Sequence, residues 1–116
     1  MTTDTAFIAS VDAVLAAFGA ALAAALADAD IDADWSLNDG ILEIECEDGS
    51  KLIVNRHVPN REIWVAAKSG GFHFQAQQGR WRDSRGKEEL AVALARLLKA
   101  QARINVRMPE LPAPDA

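Results

Sequence analysis

The first fifty residues contain no lysine or arginine, and the first basic side chain of the chain is Lys51. Eleven of the seventeen acidic residues lie in that half, and all twelve basic residues lie in the other. The halves therefore carry formal charges of −11 and +6, which give the net charge of −5. Such a charge distribution predicts metal cations or basic protein surfaces as partners and excludes nucleic acid and anionic membranes. The alternative is that the acids only solvate the surface.

Cysteine is nearly absent, since Cys46 is the only one in 116 residues. One cysteine cannot form an intramolecular disulfide or a multi-cysteine zinc site, and it fits a reducing compartment such as the cytoplasm. Cys46 alternates with Glu45 and Glu47, which favours a small buried hydrophobe over a reactive thiolate. His57 and His73 stand apart in the sequence without an acid–nucleophile partner. We therefore expect no catalytic residues.

A charge-free, alanine-rich run occupies residues 13–27. A secretory signal requires a positively charged segment before its apolar run, and this run has none. The run is also shorter than a membrane span. Apolar residues recur at spacings of three and four, which predicts a soluble amphipathic helix that ends near Ala27. These residues are Phe7, Val11, Val14, Phe18, Leu22 and Leu26.

Period-two patterns follow the helix. Aspartates alternate over residues 28–34, Leu42, Ile44 and Cys46 alternate with glutamates, and Asp48-Gly49 marks a hairpin. Further strands end near Trp81, and apolar spacing predicts a second helix over residues 87–102. The fold class is α+β: a two-layer α/β sandwich with two terminal helices on one face of a mainly antiparallel sheet of five to six strands. We expect the proline-rich tail, residues 105–116, to be disordered over its last eight residues.

The middle of the chain, residues 38–75, closely resembles the frataxin family, in particular its bacterial members. The motifs that carry the resemblance are Asp48-Gly49-Ser50-Lys51-Leu52-Ile53-Val54-Asn55-Arg56, Pro59-Asn60-Arg61-Glu62-Ile63-Trp64, Ser69-Gly70-Gly71-Phe72-His73-Phe74, Trp81-Arg82-Asp83 and Arg85-Gly86. The resemblance implies a frataxin-like domain over residues 1–104.

The resemblance also implies a function. Frataxins bind iron (Fe²⁺ or Fe³⁺) weakly and exchangeably through an acidic ridge on the first helix and first strand. They dock on the cysteine desulfurase and scaffold protein of iron–sulfur cluster assembly and modulate that process without being classical enzymes. We therefore expect a cytoplasmic, monomeric regulator or iron donor. The alternatives are a ferroxidase or iron-storage activity at the acidic cluster, and an interaction domain without a metal role.

The candidate metal ligands are the carboxylates after the first helix and on the second strand: Asp28, Asp30, Asp32, Asp34, Glu43 and Glu45. In an extended segment the four aspartates would share one face, about 6–7 Å apart. Oxygen ligands without histidine or cysteine suit a weak site for hard cations. The chain departs from the family pattern because the first helix carries Gly19, Ala20 and Ala23 in place of acids, and Ser36 replaces another acid.

The candidate partner-binding residues are Asn55, Asn60, Trp64 and His73. Alternation directs Ile63 and Val65 toward the helices and leaves Trp64 on the open face of the sheet. An exposed tryptophan is a typical interface anchor, and the resemblance favours that role over burial in the core.

Overall fold

Over residues 3–31 and 33–114, which the computed structural model describes, the fold is a two-layer sandwich of two helices and one six-stranded antiparallel sheet. The helices are α1 (Asp4–Ala29) and α2 (Leu90–Ala102). The strands are β1 (Asp34–Asn38), β2 (Ile41–Glu45), β3 (Lys51–His57), β4 (Glu62–Ala67), β5 (Gly70–Gln77) and β6 (Arg80–Asp83). The predicted fold class is confirmed.

α1 begins at a side-chain cap and ends two residues beyond the predicted Ala27. The Thr3 hydroxyl accepts a hydrogen bond from the Ala6 N–H at 3.0 Å, which satisfies one free N–H group of the first turn. Alanine has the highest helix propensity, so the helix continues until Asp30, whose φ of 53° ends it in the left-handed conformation. The buried side of α1 consists of Phe7, Val11, Val14, Leu15, Phe18, Gly19 and Leu22.

α1 is also the one helix in the described residues that is long and apolar enough to cross a membrane, by length and composition. A core helix of a soluble domain meets the same criteria. Phe18 and Leu22 are fully buried against the sheet layer, and the indole of Trp35 in β1 lies so close to Gly19 that a β-carbon there would be 3.0 Å from the ring. Packing in this core accounts for the apolar character of α1.

Every strand pairs antiparallel with its neighbour in the chain, so the sheet order is β1 to β6. On β2, Leu42 and Ile44 are buried under the helices, while Glu45 is exposed. The same alternation buries Ile63 and Val65 of β4. One sheet face therefore forms the core and the other, the open face, is turned toward solvent.

The C-terminal segment packs against the core over its described part. α2 begins at Leu90 rather than near residue 87, because Lys87 has a φ of 64° and Glu89 is the N-cap. Beyond α2, Ile104 is fully buried, and Met108 and Leu111 pack against the core. Within the last eight residues, the packing of Leu111 differs from the expected disorder.

Candidate functional site

The predicted row of aspartates is not an extended segment. Asp28 lies in the last turn of α1, Asp30 is the left-handed residue that ends the helix, and Asp34 is the first residue of β1. Asp32 lies outside the described residues. The prediction of four carboxylates on one face is wrong because the helix continues through Asp28 and the chain turns at Asp30, which directs successive side chains apart.

Asp34 and Glu45 form the acidic pair that the sheet itself creates. They are direct cross-strand neighbours on β1 and β2, both are exposed, and like charges in this position repel. Glu43, one step along on the same face of β2, has its carboxylate 3.8 Å from the Lys51 ammonium. Lys51 is itself the cross-strand neighbour of Glu45 on β3 and offsets part of the repulsion between Asp34 and Glu45. A bound cation would relieve the rest, so this pair is the part of the predicted metal set with a physical reason to bind one.

Several other acids of the first half are paired with basic side chains from the second half. Arg56 contacts Asp12 at 2.7 Å and Asp39 at 3.1 Å, and Lys68 contacts Asp48 at 3.1 Å. Within the described parts of the chain, the first-half acids without an ion-pair partner are Asp28, Asp30, Asp34, Glu45 and Glu47.

No three histidine, cysteine, aspartate or glutamate side chains of residues 3–31 and 33–114 are grouped so that they could hold a metal ion. The described acids therefore offer an open surface with separate carboxylates.

Trp64 lies at the centre of an aromatic stack on the open face. Its indole ring is parallel to the imidazoles of His57 on β3 and His73 on β5, with ring centroids 3.7 Å and 4.5 Å away. Trp64 is partly buried, and the parallel rings on its two sides restrict rotation of the indole. The predicted neighbourhood of Trp64 and His73 is found, whereas the contact with His57 was not foreseen.

Glu62 fixes the edge of this stack. Its Oε1 accepts a hydrogen bond from the Trp64 Nε1–H at 2.9 Å and lies 3.8 Å from Nδ1 of His73. The sequence did not indicate this acid beside His73. With Nε1–H already engaged, Trp64 offers a partner a ring held in one orientation.

The two predicted asparagines lie at different distances from Trp64. Asn55 is the direct cross-strand neighbour of Trp64 on β3, and its side chain donates to the backbone carbonyl of Arg56 at 3.4 Å. Asn60 is exposed in the turn between β3 and β4, outside the paired residues of the two strands. Asn55, Trp64 and His73 form one row across three strands.

Cys46 is buried and free, with 5% of its surface exposed. The Gln101 side chain of α2 lies 3.8 Å from the sulfur and donates to the Ser50 hydroxyl and to the Lys51 carbonyl. This environment ties α2 to the β2–β3 hairpin and holds no basic side chain against the sulfur. Cys46 thus has a packing role, as its alternation predicts.

Comparisons with known proteins agree with this architecture. A frataxin-like domain model matches residues 1–104. The chain is 40% identical to the iron-sulfur cluster assembly protein CyaY of Ralstonia nicotianae, over 91% of this chain and 94% of that protein. It is also 40% identical to the CyaY of Cupriavidus metallidurans, over 91% of this chain and 96% of that protein.

Solved structures of the same fold are similar. Frataxin from Psychromonas ingrahamii superimposes with a TM-score of 0.76 at 27% identity, over 95% of this chain and 100% of that one. A trimeric frataxin from the yeast Saccharomyces cerevisiae, complexed with ferrous iron, superimposes with a TM-score of 0.69 at 26% identity, over 78% and 83% of the two chains. With the family model, the bacterial relatives and the fold in agreement, this chain belongs to the frataxin-like family.

Proposed function

We propose that this chain is a non-catalytic regulator or iron donor of iron–sulfur cluster assembly in the cytoplasm. In this proposal it docks on the cysteine desulfurase and scaffold protein through the open face of the sheet. The observation that carries the proposal is Trp64, a large aromatic ring held in one orientation by His57 and His73 on a solvent-facing sheet. An oriented aromatic side chain binds with little loss of conformational entropy. The bacterial relatives are named iron-sulfur cluster assembly proteins.

Iron enters the proposal as exchangeable cargo at the acidic surface. The adjacent, exposed carboxylates of Asp34 and Glu45 support weak binding, and the yeast frataxin complexed with ferrous iron supports it by family. The same acidic surface is suited to the basic surface of a partner protein.

The test of docking is cysteine desulfurase activity with and without this protein, at low and high iron. We expect the wild-type chain to change the rate and Trp64→Ala to need about tenfold more protein for half the effect. Val92→Ala is the matched control, because Val92 is an exposed apolar side chain on α2, on the other layer of the molecule. Equal effects of both variants, with both folded, would contradict docking through the open face.

An interaction domain without a metal role is the second candidate. It is favoured by the lack of a three-ligand group among the described residues. Titration with Fe(II) under anaerobic conditions, followed by amide NMR shifts, separates the two. Shifts confined to Asp28, Asp34, Glu45 and their neighbours support iron as cargo, whereas no local shifts at these positions support the interaction domain.

A further inference from the structure

The two edges of the sheet differ in how they are protected. At the β6 edge, Arg82 forms a backbone bridge with Glu89, and the Asp83 N–H donates to the Glu88 carbonyl at 2.8 Å. At the other edge, β1 has β2 as its one neighbour among the strands of residues 3–31 and 33–114. An unprotected edge strand presents free N–H and C=O groups to any other extended chain.

The turn between β1 and β2 shows which backbone groups are free. Asp39 and Gly40 both have positive φ, 48° and 78°, which makes a two-residue type I′ hairpin with Asn38 and Ile41 as its closing hydrogen-bonded pair. Hydrogen-bonded and non-hydrogen-bonded pairs alternate along an antiparallel ladder. The N–H and C=O groups of Leu37 and Trp35 therefore point outward, away from β2.

These outward groups lack protein partners in the described structure. The hydrogen bonds outside the regular strand ladders include none from the backbone of Trp35 or Leu37. β1 has little of the usual protection of an edge. Asp34 is the one charged residue in its sequence, Asp-Trp-Ser-Leu-Asn, which contains no proline or lysine, and its register with β2 runs through five pairs without a bulge.

The side chains around β1 define the chemistry of what it accepts. On the open face, the exposed Asp34 has no ion-pair partner among the described residues, and its neighbour Glu45 lies between Asp34 and Lys51, whose ammonium contacts Glu43. On the helix-facing side, Leu37 is 37% exposed beside the indole of Trp35. A strand laid along β1 alternates its side chains between these two faces. It would meet carboxylates on one face and an apolar surface on the other.

We propose that β1 binds an extended segment of a partner protein as a seventh strand, and that this segment alternates basic with apolar side chains. The backbone groups of Trp35 and Leu37 provide the hydrogen bonds, Asp34 and Glu45 attract the basic side chains, and Leu37 contacts the apolar ones. This surface is separate from Trp64 and needs no metal, but it shares Asp34 and Glu45 with the proposed iron surface. Protection of the Trp35 and Leu37 amides therefore tests strand pairing apart from iron binding and from docking at Trp64.

The probe is a short capped peptide of alternating lysine and valine, followed by amide hydrogen exchange and NMR. We expect the amides of Trp35 and Leu37 to become protected by about tenfold or more, as two new backbone hydrogen bonds imply, with no change at Trp64 or His73. A peptide with proline in place of valine keeps the charge but cannot pair as a strand, and it should leave both amides unprotected.

Leu37→Pro tests the edge in the protein. Proline at this position removes an outward N–H and costs no hydrogen bond to β2, so we expect the fold to remain and lysine–valine peptide binding to weaken about tenfold. Leu37→Thr keeps the N–H and loses only the apolar contact of Leu37, so it should bind the peptide more tightly than Leu37→Pro does. If Leu37→Pro does not fold, the comparison of the two peptides decides.

Three results would overturn the proposal. The first is equal binding of the proline peptide, which would mean charge attraction alone. The second is protection at Trp64 or His73 in place of Trp35 and Leu37. The third is protection of Trp35 and Leu37 without peptide in a concentration-dependent dimer, which would make a second copy of this chain the occupant.

Discussion

Arg56 connects three parts of the chain through one guanidinium group. It contacts Asp12 of α1 and Asp39 of the β1–β2 turn, and it lies directly over Gly40. A β-carbon at Gly40 would be 2.5 Å from Cζ of Arg56. Glycine is thus required at position 40 both for its φ of 78° and for the space that Arg56 occupies.

Gly40→Ala should therefore destabilise the protein more than Gly49→Ala. Both positions have positive φ, but a β-carbon at Gly49 meets nothing within 4 Å. We expect Gly49→Ala to lower the free energy of unfolding by about 1 kcal/mol. Gly40→Ala should lower it by about 1 kcal/mol more, because Arg56 must leave its partly exposed ion pairs. Urea unfolding of both variants measures the difference, and equal losses would mean that Arg56 moves without cost.

Asp48 makes the stability of the β2–β3 hairpin depend on pH. Hydrogen bonds from the Ser50 hydroxyl at 2.6 Å and the Ser50 N–H at 2.9 Å, followed by the contact with Lys68, hold the pKa of Asp48 well below its usual range. A carboxylate whose pKa is lowered by folding stabilises the folded state above its unfolded pKa. That contribution is lost as the pH falls toward the folded pKa.

Asp48→Asn should therefore be less stable than wild type at neutral pH, and the difference should shrink steadily below about pH 4. The effect will be small, because the Asp48 side chain is 45% exposed and solvent screens its interactions. Thermal unfolding across pH measures it. Glu47→Gln is the matched control. This substitution removes the same charge, at a carboxylate without an ion-pair partner among the described residues. A difference that grows at acid pH would contradict this account.

For single residues, the alternation of side chains along a strand predicts which face each one occupies but not which residues it contacts. It placed Trp64 on the open face and Cys46 in the core, because the side chains of a strand alternate whatever their partners are. It could not show the stack of His57 on Trp64, since these two residues are diagonal neighbours whose contact depends on the register between β3 and β4. Nor could it show Glu62 beside His73, for the same reason.

At the scale of elements, the boundary between α1 and β1 was the least predictable part of the fold. The aspartate alternation over residues 28–34 indicates a strand, but the alanine run before it favours helix through Asp28. The Asp39-Gly40 pair was the signal that would have located β1, because it marks the hairpin that fixes Asp34–Asn38 opposite β2. Turn residues were more informative here than charge periodicity.

The C-terminal segment is the element whose contribution to stability was hidden from sequence. Its three prolines and few apolar residues are typical of a disordered tail. In the structure, however, Met108 and Leu111 pack against the core. Removing residues 108–116 should lower the free energy of unfolding by about 1–3 kcal/mol, since two partly buried apolar side chains are lost. Removing residues 113–116 alone keeps both and should have little effect. Urea unfolding of the two truncations decides, and similar stabilities would mean that the packing of the segment contributes nothing.

In the folded molecule, the acidic first half and the basic second half are less separated than they are in the sequence. Basic side chains of the second half form ion pairs with acids of the first half, such as Arg56 with Asp12 and Lys68 with Asp48. What remains at the β1 side of the described structure is a smaller, open group of carboxylates with Asp34 and Glu45 at its centre. The absence of acids from the middle of α1 was visible in the sequence, and it limits the surface to this region.

Cation binding by the whole protein should accordingly be weak and sensitive to salt. Calorimetry with Fe(II) under anaerobic conditions should show affinity that falls steeply as added salt shortens the Debye length below about 10 Å. The double variant Asp34→Asn with Glu45→Gln should bind several-fold less tightly. Asp4→Asn with Glu110→Gln makes the same change in net charge at carboxylates that already contact Arg61 and Arg80, so it should bind like wild type. Equal losses in both double variants would mean that net charge alone attracts the cation, and tight binding that resists salt would require a closed site in place of an open surface.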